Sequence, residues 1–297
     1  MGKLVRCISE DGTLLIMACD TTDIVTDAYE IHGTSKVCTA ALGRLLTAGA
    51  MMGSMLKGKK DTLTLKINGG GPAGSVLAVA DSSCHVKGYV VDGNVELPLN
   101  KKGKLDVGGA VGRNGFVTVI KDLGLKEPFV GQVPIVSGEI AEDITAYFAA
   151  SEQTPSVCGL GVLVAQDGTV LTAGGFLIQL LPTADDSVID KVEQDIQGID
   201  SVTKMLTDGL TPTEICKKVL PSFDIQELDV MYPEYKCDCS VERVQTALIS
   251  AGREELLDMA NDPITEVKCQ FCNKAYRFTG KDILKLIEDS QEIIDEQ

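Results

Sequence analysis

Four cysteines near the C-terminal end of this 297-residue chain stand in two tight pairs, Cys237-Asp238-Cys239 and Cys269-Gln270-Phe271-Cys272, with 29 residues between them. Zinc takes four soft ligands in a tetrahedron, and four thiolates fill a structural site completely. A short turn lets each pair put two sulfurs on one metal. The spacing therefore predicts one zinc ion held by Cys237, Cys239, Cys269 and Cys272, with the intervening segment as a small helical excursion. Ser240 is placed to cap a helix over 241–250, and 253–260 continues the pattern. From spacing alone, the site reads as a staple that only holds a small module together.

The module around it, residues 233–297, is too small to build much of a core, and a metal is one remedy for that. Its last helix, from about residue 281, runs into an acidic tail over 292–297. Residues 1–180 read differently. Apolar or alternating runs at 14–18, 62–67, 76–80, 86–91, 116–120, 161–165 and 170–179 lie between glycine-rich turns, which predicts antiparallel strands. Two helices are expected over 35–57 and 138–151, the second opening on Glu139, Glu142 and Asp143. The fold class is α+β: an N-terminal antiparallel-sheet domain with helices, a helical linker, and a small C-terminal zinc-binding domain. The linker is 181–232, where Pro182, Pro212, Pro221 and Pro233 punctuate short amphipathic helices over 185–196 and 212–220. Between 185 and 232 eleven acids face four bases. Short helices with like charge and a thin apolar stripe are marginal alone, so this segment is expected to be metastable.

Composition narrows the partners. A net charge of −16 and the absence of any long basic run argue against nucleic acid. No apolar stretch is long enough to span a membrane, and the N-terminus lacks a signal-peptide pattern. A cytoplasmic, reducing location follows by elimination, where ten cysteines are thiols or metal ligands rather than a disulfide framework. Cys7, Cys19, Cys38, Cys84, Cys158 and Cys216 sit singly among aliphatic residues and read as small core hydrophobes.

Other signals are set aside. Gly69–Gly74 lacks the Lys and Ser/Thr of a phosphate loop and reads as a turn. Ser137 lacks the glycine of a nucleophile elbow, His32 and His85 are isolated, and Met51, Met52 and Met55 at helical spacing read as core. Lys236, Lys268, Lys274 and Arg277 lie close to the thiolates in sequence and are candidates to offset their charge. No catalytic constellation emerges, and the chain is not expected to be an enzyme.

One chemical property of the cysteine set goes beyond stapling. If oxidised, each pair can close on its nearest neighbour, and such disulfides enclose tiny loops that constrain an unfolded chain little. They would not reconnect Cys239 with Cys269, so a long-range cross-link would give way to two local ones.

The chain resembles the bacterial redox-regulated 33-kilodalton heat-shock chaperonin family over nearly its whole length. The resemblance rests on Ala41-Leu42-Gly43-Arg44, Met51-Met52-Gly53, Gly69-Gly70-Gly71-Pro72-Ala73-Gly74, and Ser137-Gly138-Glu139-Ile140-Ala141-Glu142-Asp143. It continues through Ser151-Glu152-Gln153-Thr154-Pro155, Gly174-Gly175-Phe176-Leu177-Ile178-Gln179-Leu180-Leu181-Pro182, and the four paired cysteines. It implies a holdase for unfolding client proteins under oxidative stress, inactive when reduced and zinc-bound. Oxidation would form the Cys237–Cys239 and Cys269–Cys272 disulfides, release zinc, and unfold the C-terminal module and linker. The resemblance further implies a homodimer when oxidised and hand-over of clients to ATP-dependent chaperones. The client surface is expected in the linker and the part of the N-terminal domain it covers. A zinc-ribbon interaction module without redox control is the competing reading.

Overall fold

The computed structural model describes residues 2–295 of the chain. Its packing divides into two units, one ending at Lys236 and the other beginning at Cys237.

The first unit is organised by helix Lys36–Gly53, which packs against strands of two sheets. Sixteen of its eighteen residues are buried, which is what a helix apolar on every side requires. Ser35 caps its start by accepting a hydrogen bond from the Cys38 N–H. Small residues let neighbours close on the helix: a Cβ at Gly43 would lie 2.7 Å from Val25 and 2.8 Å from Val162. Met51 and Met52 are core residues, and Met55 packs half-buried beside them.

One sheet has five strands in the order Ile225–Met231, Lys3–Ser9, Leu14–Asp20, Val170–Leu180 and Ser156–Val164, all antiparallel. The other has six, in the order Glu234–Tyr235, His85–Val90, Val76–Asp81, Thr62–Gly70, Gly112–Asp122 and Phe129–Pro134. Only the two-residue strand Glu234–Tyr235 pairs in parallel, against His85 and Val86. The glycine run at 69–74 is structural. A Cβ on Gly69 would sit 2.1 Å from the Gly112 carbonyl oxygen, so the two chains approach more closely than any side chain permits.

The motif at 137–143 folds around Asp143, which is fully buried at the start of helix Ala141–Ala150. Its Oδ1 accepts from the N–H groups of Val136 (2.8 Å), Ser137 (3.0 Å) and Gly138 (3.3 Å), and Oδ2 accepts from Ile140 (2.9 Å). Four backbone donors converging on one carboxylate satisfy a turn that has no ladder partner.

Residues 181–232 are helical only in part. Helices Asp186–Ile196, Val202–Thr207 and Pro212–Val219 lay Val188, Val192, Met205, Ile215 and Val219 on the five-stranded sheet, forming a second core with Val5, Ile16 and Ile178. The expectation of a helical linker is corrected over Ile225–Met231, which is an edge strand paired with Lys3–Ser9. Arg6 on that first strand forms a bidentate ion pair with Asp229. Likewise Glu234 and Tyr235, assigned by sequence to the C-terminal module, belong to the first unit because their strand adds to its second sheet.

The second unit contains helices Val241–Ala251 and Arg253–Met259, the hairpin Ile264–Lys268/Ala275–Thr279, and helix Gly280–Asp295. Its core is Val244, Leu248, Leu256, Tyr276, Phe278, Ile283, Leu286 and Ile287. Of the expected acidic tail 292–297, residues 296 and 297 lie outside the described residues. Among the described residues no helix is long and apolar enough to cross a membrane.

Candidate metal centre

Each cysteine pair is placed by simple local chemistry. Cys237-Asp238-Cys239 lies outside helix and strand and leads into Ser240, whose side chain accepts from the Arg243 N–H and starts helix Val241–Ala251. Asp238 pairs with Arg243. The second pair sits in the turn of the hairpin. The Cys269 N–H donates to the Lys274 carbonyl (2.9 Å) and the Asn273 N–H to the Cys269 carbonyl (2.8 Å). Asn273 closes the turn with φ of 58°, a left-handed conformation that asparagine tolerates better than most residues.

These turns bring all four predicted ligands together. The Sγ atoms of Cys237, Cys239, Cys269 and Cys272 lie within 4.8 Å of one another, and each residue is half-buried. Cys237 and Cys269 are 3.7 Å apart, and Cys239 and Cys272 are 3.4 Å apart. A disulfide would be about 2.05 Å, so these are thiols. A tetrahedral zinc site with Zn–S of about 2.3 Å has sulfur–sulfur edges of roughly 3.8 Å. The donor set and its spacing fit zinc: four soft ligands, none replaced by oxygen, on an enclosed tetrahedral scale.

One neighbour of the site was not picked out from the sequence. The Tyr276 hydroxyl donates to the Cys239 sulfur at 3.0 Å. It lies on strand Ala275–Thr279, which leaves the knuckle, and nothing in the spacing shows which way its hydroxyl reaches. Burial opposes ionisation of the Cys239 thiol, yet the hydrogen bonds from Tyr276 and the neighbouring cysteines outweigh it and bring it down to about 7. The Cys237 and Cys272 thiols are pushed up, first by burial. Tyr276 is held above the usual phenol range because its proton is engaged by Cys239.

The basic neighbours have their own partners. Arg277 and Lys268 lie 2.9 Å and 3.7 Å from the Glu266 carboxylate, and Lys274 lies over the Tyr276 ring at 5.1 Å. Lys236 belongs to the first unit, with Nζ 3.4 Å from His85 Nε2. His85 also holds Asp81 through Nδ1 at 2.8 Å, and His32 Nε2 lies 3.3 Å from the Tyr235 hydroxyl. Of the six scattered cysteines, Cys7, Cys19, Cys38, Cys84 and Cys216 are buried and Cys158 is half-buried.

A family model described as Hsp33 protein matches residues 2–279. The chain is 51% identical over 294 residues to the 33 kDa chaperonin of Clostridium perfringens (strain SM101 / Type A), covering 98% of this chain and 93% of that one. It is 48% identical over 288 residues to the 33 kDa chaperonin of Clostridium acetobutylicum, covering 96% and 97%. Among solved structures it is similar to the 33 kDa chaperonin (heat shock protein 33 homolog) of Thermotoga maritima, with a TM-score of 0.88 and 36% identity over 98% of this chain and 99% of that one.

Proposed function

The chain belongs to the Hsp33 family of chaperones, and from that premise we propose that it is a holdase switched on by oxidation of its four clustered cysteines. The observation that carries the proposal is the pairing of two facts about the described residues of the second unit: four sulfurs within 4.8 Å, and a core of eight buried side chains. Zinc, when bound, supplies a cross-link among four thiolates that joins the start of the unit to its hairpin. Oxidation of Cys237 with Cys239, and of Cys269 with Cys272, withdraws two electrons and two protons from each thiol pair. Both new bonds are local, so no covalent or coordinate link then joins residue 239 to residue 269. A unit of this size with so small a core falls below what hydrophobic burial alone sustains.

The chain passes from Ile225–Met231 through Glu234–Tyr235 directly into Cys237, so disorder in the second unit reaches the segment 181–232 along the backbone. If the helices of that segment lift off, they uncover Val5, Leu14, Ile16, Phe176 and Ile178 on the five-stranded sheet. Uncovered apolar surface of this kind, together with the amphipathic helices themselves, is the client-binding surface in this reading. The protein binds unfolding chains rather than turning over a substrate, acts in the cytoplasm, dimerises when oxidised and passes clients to ATP-dependent chaperones.

The test is to treat the zinc-loaded protein with hydrogen peroxide or hypochlorous acid at mild heat. Zinc release, far-UV circular dichroism and suppression of client aggregation are followed together. Loss of zinc and helicity with suppressed aggregation is the expected result. Zinc loss with unchecked aggregation would sink the chaperone switch and leave a zinc module without redox control.

A further inference from the structure

Tyr276 joins two parts of the second unit that the sequence separates. It lies on strand Ala275–Thr279, opposite Val267 in the hairpin, and its side chain is buried in the core shared with Phe278 and Leu286. From that fixed ring the hydroxyl reaches the other cysteine pair, donating to the Cys239 sulfur at 3.0 Å across 37 positions of chain. Cys239 is half-buried, so a small oxidant can reach the sulfur that the hydroxyl holds.

We infer that Tyr276 is a positioning residue that slows oxidation of Cys239, so that its hydroxyl sets how much peroxide is needed before the cluster opens. The inference rests on the proposed oxidation switch and goes beyond it by naming a group that sets its rate. A cysteine coordinated to a metal is already a thiolate. The hydroxyl therefore changes how readily the sulfur gives up electrons, and not whether it is ionised. In the reaction the Cys239 sulfur attacks one oxygen of hydrogen peroxide, the O–O bond breaks, and hydroxide leaves with a solvent proton as water. Cys239 is left as a sulfenic acid, which the Cys237 thiolate attacks. The S–S bond forms, the S–O bond breaks, and the second hydroxide leaves with a second proton as water. Two thiolates, one hydrogen peroxide and two protons become one disulfide and two waters.

Negative charge on the Cys239 sulfur falls between the thiolate and the transition state of the first step. A hydrogen bond to that sulfur is therefore stronger before the reaction than during it, and an interaction of that kind raises the barrier. The same trend shows as a loss of nucleophilicity when the basicity of a thiolate falls. A disulfide sulfur carries no charge and accepts weakly, so oxidation also loosens the tie between the hairpin and residue 239.

The experiment compares the full-length, zinc-loaded wild type with Tyr276→Phe and with a protein carrying 3-fluorotyrosine at 276, whose hydroxyl is a stronger donor of nearly the same size. Each is given hydrogen peroxide. Zinc release is followed with a zinc-binding dye, and sulfenic acids are trapped with dimedone and mapped by mass spectrometry. Tyr276→Phe is expected to raise the labelling rate at Cys239 about fivefold, part of what a hydrogen bond to a charged group contributes. It should also speed zinc release and leave the initial labelling at Cys269 and Cys272 unchanged. The 3-fluorotyrosine protein should label at Cys239 more slowly than the wild type. Phe278→Leu loosens the same core without removing the hydroxyl, and is expected to raise labelling at all four sulfurs together. Equal rates at Cys239 in the wild type and Tyr276→Phe would overturn the inference. So would a rise at all four sulfurs in Tyr276→Phe like that of Phe278→Leu, or faster labelling with 3-fluorotyrosine. Suppression of client aggregation is measured in the same samples. Selective acceleration at Cys239 without any suppression would uphold the brake and remove the holdase reading. Suppression with equal Cys239 rates would do the reverse.

Discussion

The two units of this protein keep their shape by different means. The first buries 41 side chains around helix Lys36–Gly53 and another 15 between the helices of 186–219 and the five-stranded sheet, which pairs residues more than 200 positions apart. Among its described residues the second buries eight and brings together four sulfurs. Hydrophobic burial is distributed, so losing one contact in the first unit weakens it by a fraction. Coordination at the four sulfurs, as proposed, would be concentrated in one place, so losing it would remove most of what holds the second unit. On the proposed reading, the core around helix Lys36–Gly53 resists stress, while the stability of the second unit, and through it the hold on the helices of 186–219, is set by the chemistry of sulfur.

Breaking the coordination is the largest expected effect. Replacing Cys269 and Cys272 by Ser, or stripping metal with a chelator, should abolish exchange protection across 241–289 while strands Leu14–Asp20 and Thr62–Gly70 stay protected. Structural zinc contributes about 10–16 kcal/mol in small peptides, comparable to the whole burial of eight apolar side chains at about 1.5–3 kcal/mol each. Protection of the second unit that survives metal removal would erase the contrast. The converse test is Leu45→Ala, which empties a fully buried position in the first unit and should cost about 2–5 kcal/mol. Its signature is a lower melting temperature for the first unit with unchanged exchange in the hairpin Ile264–Lys268/Ala275–Thr279.

A smaller effect is expected at Asp143. Asp143→Asn keeps the shape but turns one accepting oxygen into a donor facing backbone N–H groups, at a cost of about 1–3 kcal/mol in denaturant melts. An unchanged midpoint would mean that the turn 136–140 is held some other way. The smallest is at the edge of the five-stranded sheet. The Arg6 hydrogen bond holds the Asp229 carboxyl below the usual range. A carboxyl depressed on folding contributes stability that is present above its unfolded pKa, near 4, and is lost as pH falls through the lower folded value. Both side chains are about a third exposed, so the contribution is about 0.5 kcal/mol. Asp229→Asn should lower the first unit's stability by that amount at pH 6 and not at pH 2, measured by denaturant melts at both.

What the sequence revealed follows from how local each signal was. The cysteine spacing was legible because two-residue and three-residue offsets fix neighbours on one turn whatever the rest does. Helix Lys36–Gly53 was legible from its run of Ala, Leu and Met, since a long stretch of strong helix formers without Pro has few alternatives. Strand Ile225–Met231 was not: Gln226, Glu227 and Asp229 give it a polar cast, and its partner Lys3–Ser9 lies at the other end of the chain. Phe129–Pro134 escaped for a similar reason, being an edge strand with Phe129 and Val130 exposed. The Tyr276 hydroxyl on Cys239 depends on a side-chain direction, which no spacing rule encodes.

The pairing of Lys3–Ser9 with Ile225–Met231 also sets a schedule. A ribosome adds roughly 5–20 residues per second, so the two strands are born roughly ten to forty-five seconds apart. Throughout that interval the first strand can lean on Leu14–Asp20 along one side only, its other edge bare. The nascent protein therefore stays an open-edged sheet, itself in need of shelter, until about three-quarters of it has been made.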